Sequence, residues 1–239
     1  FACLPENQSI IKLISIENSP NQTADLIMTE IEKFFPFAID KLYFDYQVIN
    51  KHRDSVDVLV SASPKYLVDG YIEALQNAGL SVLALETESI SLCRALIPKE
   101  ETKKNDTNTY AIIDIGAEES FMVIYSSHSP IMSMSINVSG EGITETISNT
   151  LQISRSQAEK AKIICGLDKE KAEGIIHDIL IESTSKMVKR IQDITNFYLD
   201  NYPKYGKINK IFIAGGGSNV KNLNIILSKS LDTEVSDGD

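Results

Sequence analysis

The chain has 239 residues, 43% of them hydrophobic and 23% charged, with 12 Gly and 7 Pro; this excludes collagenous, coiled-coil and disordered classes and leaves one large domain or two small ones. Lys and Arg number 23 against 33 Asp and Glu, a net charge of −10 that repels phosphate backbones and anionic headgroups, so neither nucleic acid nor direct membrane insertion is expected. The widely spaced Cys3, Cys93 and Cys165 make neither a disulfide framework nor a CxxC site, and the chain reads as cytosolic. Phe1 is not an initiator Met, and the expectation is a chain that begins inside a longer protein.

In chain order, the Ile-rich Ser9–Glu17 predicts a strand, punctuated by Pro20-Asn21. Ala24, Ile27, Met28, Ile31, Phe34 and Phe35 form one apolar stripe, which predicts a helix ending at Pro36. Phe34-Phe35-Pro36-Phe37 reads as core, with a peptide-docking anchor as the alternative. Lys41–Ile49 and Val56–Ala62 predict an antiparallel hairpin turning at Asn50–Ser55. Ser63 as cap and Pro64 at the first helical position open a helix striped by Leu67, Val68, Tyr71, Ile72 and Leu75 and ended by Gly79. With a strand at Val82–Leu85, residues 9–85 read β-α-β-β-α-β, a split βαβ arrangement. A helix, Glu88–Leu96, follows, and Pro98–Thr109 has the composition of a linker.

The second half opens with strands at Tyr110–Ile115, Phe121–Tyr125 and Ile131–Val138. The uncharged run Ser120–Gly140 is long enough for a membrane helix, but its seven serines, His128, Pro130 and Asn137 read as two strands with a turn between them. Helical periodicity then covers Gly140–Leu151, Ser154–Ile164 and about 172–199, before a strand at Ile208–Ala214, three glycines and a last helix containing Val220, Leu223, Ile226 and Leu227.

Chemistry can reside in four places. At Asp114-Ile115-Gly116 a strand delivers a carboxylate and then a glycine, which suits a metal-bound phosphate, although a plain hairpin turn uses the same residues. At Gly215-Gly216-Gly217-Ser218 a strand runs into a helix through glycines that let a flat or anionic group approach the backbone; a tight structural turn is the alternative. Ser139-Gly140-Glu141-Gly142-Ile143-Thr144 is a glycine-bearing turn into a helix, and Glu159 and Lys162 share one helix face, ordinarily as a solvated ion pair. His52, His128 and His177 are scattered, with no metal spacing.

The order of these features, strand-DxG-hairpin, glycine turn into helix, AExxK helix, strand-GGGS-helix, resembles the actin-like ATPase superfamily. Within it, the insert before the DxG strand, with Phe34-Phe35-Pro36-Phe37 and Tyr43-Phe44-Asp45-Tyr46-Gln47-Val48, is similar to the type IV pilus assembly PilM family, the division protein FtsA being a more distant relative. The resemblance implies an α/β, actin-like (ribonuclease H-like) fold whose N-terminal phosphate-loop strands are missing. Residues 9–85 would be an inserted partner-docking subdomain, 1–8 and 86–108 the remnant of a first lobe, and 109–239 a second, nucleotide-binding lobe.

The implied cofactors are ATP and Mg²⁺. Asp114, Gly116 and Ser120 would form the second phosphate motif, with Asp114 as the Mg²⁺-linked carboxylate and catalytic candidate. Gly140 would face the phosphates or ribose, Glu159 and Lys162 would touch ribose and adenine, and Gly215, Gly216, Gly217 and Ser218 would form the adenosine motif. The implied role couples Mg-ATP binding in the cytoplasm to the tail of a PilN-like inner-membrane partner, as at most a slow ATPase, peripheral to the membrane and compatible with self-association. A nucleotide-independent scaffold, an FtsA-like division protein and a small-molecule kinase of the same superfamily are the competing readings. The sequence departs from the family in lacking the first phosphate loop, in carrying Glu118 and Glu119 beside the second, and in having Ser139 where a glycine is usual.

Overall fold

The computed structural model describes residues 1–19, 23–34, 37–97 and 108–238, which divide into a first unit, Phe1–Ile97 with His128–Ser133, and a second, Pro98–Ser127 with Met134–Asp239. Pro20-Asn21, Phe35-Pro36 and most of the expected linker, 98–107, lie outside the described residues.

The first unit is built on strands β1 (Ala2–Leu4), β2 (Ile10–Glu17), β3 (Leu42–Lys51), β4 (Ser55–Pro64) and β5 (Leu85–Thr87), and helices α1 (Thr23–Ile31), α2 (Lys65–Asn77) and α3 (Glu88–Leu96). β4 lies between β2 and β3, antiparallel to both, and its near-continuous apolar run fits a strand covered on both sides. The period-two set Val56, Val58, Val60 and Ala62 joins Ile14 and Ile16 of β2 in a core closed by Ile27 and Ile31 of α1. The helix expected to reach Pro36 ends at Ile31, yet Phe34 still packs on that core, because a turn closed by its N–H on Ile31 O carries it there. Phe37 is exposed, so the Phe-rich segment divides between core and surface.

Pro64 is the N-cap of α2, extended at ψ 136–140° like other caps of this unit, and not its first helical residue. The expected cap Ser63 is the penultimate residue of β4, buried, donating to Ser9 Oγ at 2.8 Å. Gly79 ends this segment in the left-handed region, φ +78°. The last strand, expected at Val82–Leu85, forms at Leu85–Thr87 and pairs in parallel with β1, a strand too short for sequence periodicity to reveal. α3 follows at once, and since Thr87 makes no side-chain cap, the carboxylate of Glu6 accepts the Ser89 N–H at 3.0 Å in its place.

The second unit holds β6 (Thr109–Ile115), β7 (Ser120–Ser126), α4 (Gly140–Leu151), α5 (Arg155–Cys165), α6 (Ile175–Asn201), β9 (Ile208–Ala214), α7 (Leu223–Leu231) and β10 (Glu234–Asp237). β8 (Ser129–Ile136) is divided: its residues up to 133 belong to the first unit, where Met132 pairs with Lys12, and the rest to the second. The order β10-β9-β6-β7 places the apolar β6 between β9, parallel, and β7, antiparallel, so the ends of β6 and β9 emerge together. α6 lays Ile176, Leu180, Met187, Ile191, Ile194 and Tyr198 in one buried stripe. It starts later than its periodicity suggests, because Ala172, Glu173 and Gly174 are all left-handed.

Candidate functional site

All three glycine turns read from the sequence meet in the second unit, at the ends of β6 and β9. Gly116 closes the β6–β7 turn by donating its N–H to Glu119 O at 2.9 Å, and a Cβ at 116 would stand 2.5 Å from that oxygen, so the turn requires glycine. Onto the turn docks the start of α4: Gly140 N–H reaches Gly116 O at 2.9 Å and Glu141 N–H reaches Ala117 O at 2.8 Å. Ser139, where a glycine was expected from the family, caps the helix, its Oγ accepting the Gly142 N–H.

Lys162 is buried, at 7% exposure, and its ammonium donates to Gly140 O at 2.9 Å, Thr144 Oγ1 at 2.8 Å and Glu159 Oε2 at 2.8 Å. Three protons meet three acceptors, so this lysine is a strut between α5 and the start of α4, with no donor left for a base. Glu159 is half-exposed and also accepts from Thr144. Partial burial pushes its carboxyl up, but the hydrogen bonds from Lys162 and Thr144 outweigh this and hold it below the usual carboxylate value.

The three consecutive glycines divide their tasks. Gly215 sits at φ +79°, and a Cβ there would meet Asp114 Oδ1 at 2.5 Å and Ile115 O at 2.6 Å. A Cβ at Gly217 would stand 2.2 Å from Ile115 Cγ2. Gly216 alone faces open space. Gly215 and Gly217 thus let the turn lie on the end of β6, while Gly216 is the one a bound group can approach.

Between these elements lies a cleft of about 590 Å³, within the range of small-molecule sites. Of the residues read from the sequence, Gly116, Gly140, Glu159, Lys162, Gly216 and Gly217 line it. Asp114, half-buried at the end of β6, and Gly215 stand behind the lining. Ser218 closes the turn by donating its hydroxyl to Gly215 O at 2.8 Å, and Ser120 is buried in β7, its Oγ without a hydrogen-bond partner among the described residues.

Thr144 stood in the glycine-bearing turn read from the sequence but carried no assigned role, and sequence reasoning missed Ala117, Arg155, Ser156, Ile163, Asn219 and Val220, which also line the cleft. The spacing Gly140 to Thr144, one helical turn, was a usable signal; the others reach the cleft through tertiary packing. At the rim Arg155 pairs with Glu141 at 2.5 Å.

The lining fits a nucleotide. Glu159 offers acceptors to sugar hydroxyls, Ile163 and Val220 offer apolar contact, and Gly216 leaves room. Among the described residues no group of three or more His, Cys, Asp and Glu side chains could hold a metal by itself. Among the same residues, no helix is long and apolar enough to cross a membrane.

Residues 2–236 match the family model of the type IV pilus assembly protein PilM. The cell division protein FtsA of two strains of Staphylococcus epidermidis is 25% identical over 215 residues, covering 81% of this chain; the chain spans 45% of the length of those relatives. A solved PilM-PilN type IV pilus biogenesis complex superposes with a TM-score of 0.81 at 20% identity, over 97% of this chain and 66% of the solved one. MreB5 of Spiroplasma citri bound to AMPPNP gives a TM-score of 0.57 at 19% identity, over 73% of this chain and 60% of its own. These structural likenesses establish the actin-like fold, and the match over nearly its whole length shows that the chain belongs to the type IV pilus assembly protein PilM family.

Proposed function

We propose that this chain is a nucleotide-binding assembly protein that takes Mg-ATP in the cleft of the second unit and couples its binding to an inner-membrane partner of the PilN kind, working from the cytoplasmic face. The observation that carries the reading is the convergence of Gly116, Gly140 and Gly216 with Glu159 on one cleft. The solved relatives support it: one is a PilM-PilN complex and another is bound to AMPPNP. Residues 9–85 would be the inserted partner-docking subdomain, 1–8 and 86–108 the remnant of the first lobe, and 109–239 the second, nucleotide-binding lobe. Asp114 would hold Mg²⁺, which supplies neutralisation of phosphate charge, while Lys162 and Thr144 fix Glu159 against the sugar.

The test is calorimetric titration of Mg-ATP into the wild-type chain and Gly216→Phe, whose Cβ would meet nothing within 4 Å, with circular dichroism to check that the variant is folded. Saturable binding by the wild type, lost in the variant, is expected; a folded wild-type chain that gives no binding overturns the reading. A second reading, a scaffold of the same fold without nucleotide dependence, is favoured by the complete engagement of Lys162. It requires capture of a PilN-like tail to be indifferent to Mg-ATP.

A further inference from the structure

A long strand at the edge of a sheet can pair with another chain, and β3 is such a strand. Among the described residues it pairs with β4 alone, in regular register from Leu42 to a bulge between Val48 and Asn50. Tyr46 donates its N–H to Asp45 Oδ1 at 2.8 Å, outside the ladder with β4. Backbone groups alternate in direction along a strand, so Phe44, Tyr46 and Val48 all turn theirs to the open side.

Their side chains stand opposite Ala62, Val60 and Val58, on the face of β4 that carries the core. Phe44 packs on that core, whereas Tyr46 is 40% and Val48 38% exposed, so the apolar layer runs out to the edge of the sheet and stops in solvent. A strand laid alongside would continue it.

The stretch is complementary to its own copy. Set antiparallel to itself about Tyr46, it places Phe44 opposite Val48 on both sides of the axis and Tyr46 opposite Tyr46, a ladder of aromatic and β-branched pairs. On the other face Asp45 meets Gln47 twice, and the amide donates to the carboxylate. Centred on Asp45, the pairing would bring two carboxylates together; centred on Gln47, it would set Asp45 against Ile49, which has no side-chain donor. The register about Tyr46 is the one of these that satisfies both faces.

We propose that β3 is a self-association surface, through which two copies of this chain join their sheets edge to edge about a twofold axis at Tyr46. Asp45, which holds the Tyr46 N–H in the single chain, releases it to the other copy and takes the Gln47 amide of that copy instead. The bulge confines the contact to Phe44–Val48, smaller than the roughly 800 Å² per partner of a stable interface, so the dimer is reversible, with a Kd of about 10–500 µM. The inference goes beyond the nucleotide reading and does not depend on it.

Sedimentation equilibrium of the full chain from about 5 µM to 1 mM reads the association, with hydrogen exchange of the Phe44, Tyr46 and Val48 amides followed at both ends of the range. A monomer–dimer equilibrium in which these amides gain protection is expected. Tyr46→Pro, which removes the N–H at an edge position that tolerates proline, and Val48→Lys, which sets a charge in the apolar row, should each weaken the dimer by about tenfold or more, with circular dichroism to check that both are folded. The exchange measurement needs no variant and stands even where a substitution unfolds the chain. A wild-type chain that stays monomeric throughout, assembly that runs past the dimer, a dimer indifferent to the folded variants, or dimerisation that leaves these amides unprotected overturns the proposal.

Discussion

Gly216 and Gly217 are neighbours with opposite constraints. A methyl at 217 would overlap the Ile115 side chain, 2.2 Å from Cγ2 and 2.9 Å from Cβ, so Gly217→Ala should cost about 1–3 kcal/mol, read as a lowered urea midpoint. Gly216→Ala should leave that midpoint unmoved, because nothing stands within 4 Å. A second expectation concerns Glu6, which is buried between the Ser89 N–H of α3 and the Ser133 hydroxyl of β8, with Glu88 nearby. Burial pushes its carboxyl above the ordinary 4.5; the hydrogen bonds to Ser133 and Ser89 only partly offset this. A raised acid binds its proton more tightly when folded, so stability should fall as pH rises from about 4.5 toward neutrality, and Glu6→Gln should remove that component of the slope. Thermal unfolding of both proteins across this range checks it. Neither Glu6 nor Lys162 was legible as buried: a Glu–Lys pair three apart on a helix reads as solvated, and the atoms that cover Lys162 come from Gly140 and Thr144, far upstream in the chain.

Among the elements, those with local punctuation were readable. Ser139 marks the start of α4, and the box in which Ser154 and Gln157 cap each other marks the start of α5. Ser154→Ala should cost about 1 kcal/mol by removing the acceptor for the Gln157 N–H, measurable by chemical denaturation, and Ser154→Asp should restore most of it. α1 and α2 were misjudged at one end each because tertiary contacts took over: a turn continues the apolar stripe to Phe34, and Ser63 is drawn into β4 by its bond to Ser9. β1 and β10 are so short that only pairing with β5 and β9 defines them, which no periodicity can show.

For the whole molecule, the net charge of −10 acts on any anionic ligand. Raising salt from about 0.05 to 0.3 M should screen that repulsion and tighten metal-free ATP binding, measurable by calorimetric titration. The fold class and the order of motifs were legible because each motif is local; the docking of the α4 start on the β6–β7 turn through Gly140 N–H and Glu141 N–H was not, because it depends on which backbone groups meet across the cleft. The division of β8 has a further consequence. The chain passes between its two units three times, after residues 97, 127 and 133, so neither can be excised by a single cut. A fragment beginning at residue 98 would carry 128–133 away from β2, the strand that Met132 meets through Lys12, and present a raw strand edge for promiscuous pairing. Binding to nucleotide and binding to a partner are therefore properties to be dissected by point substitution in the intact chain, since dissection by truncation would manufacture an aggregate.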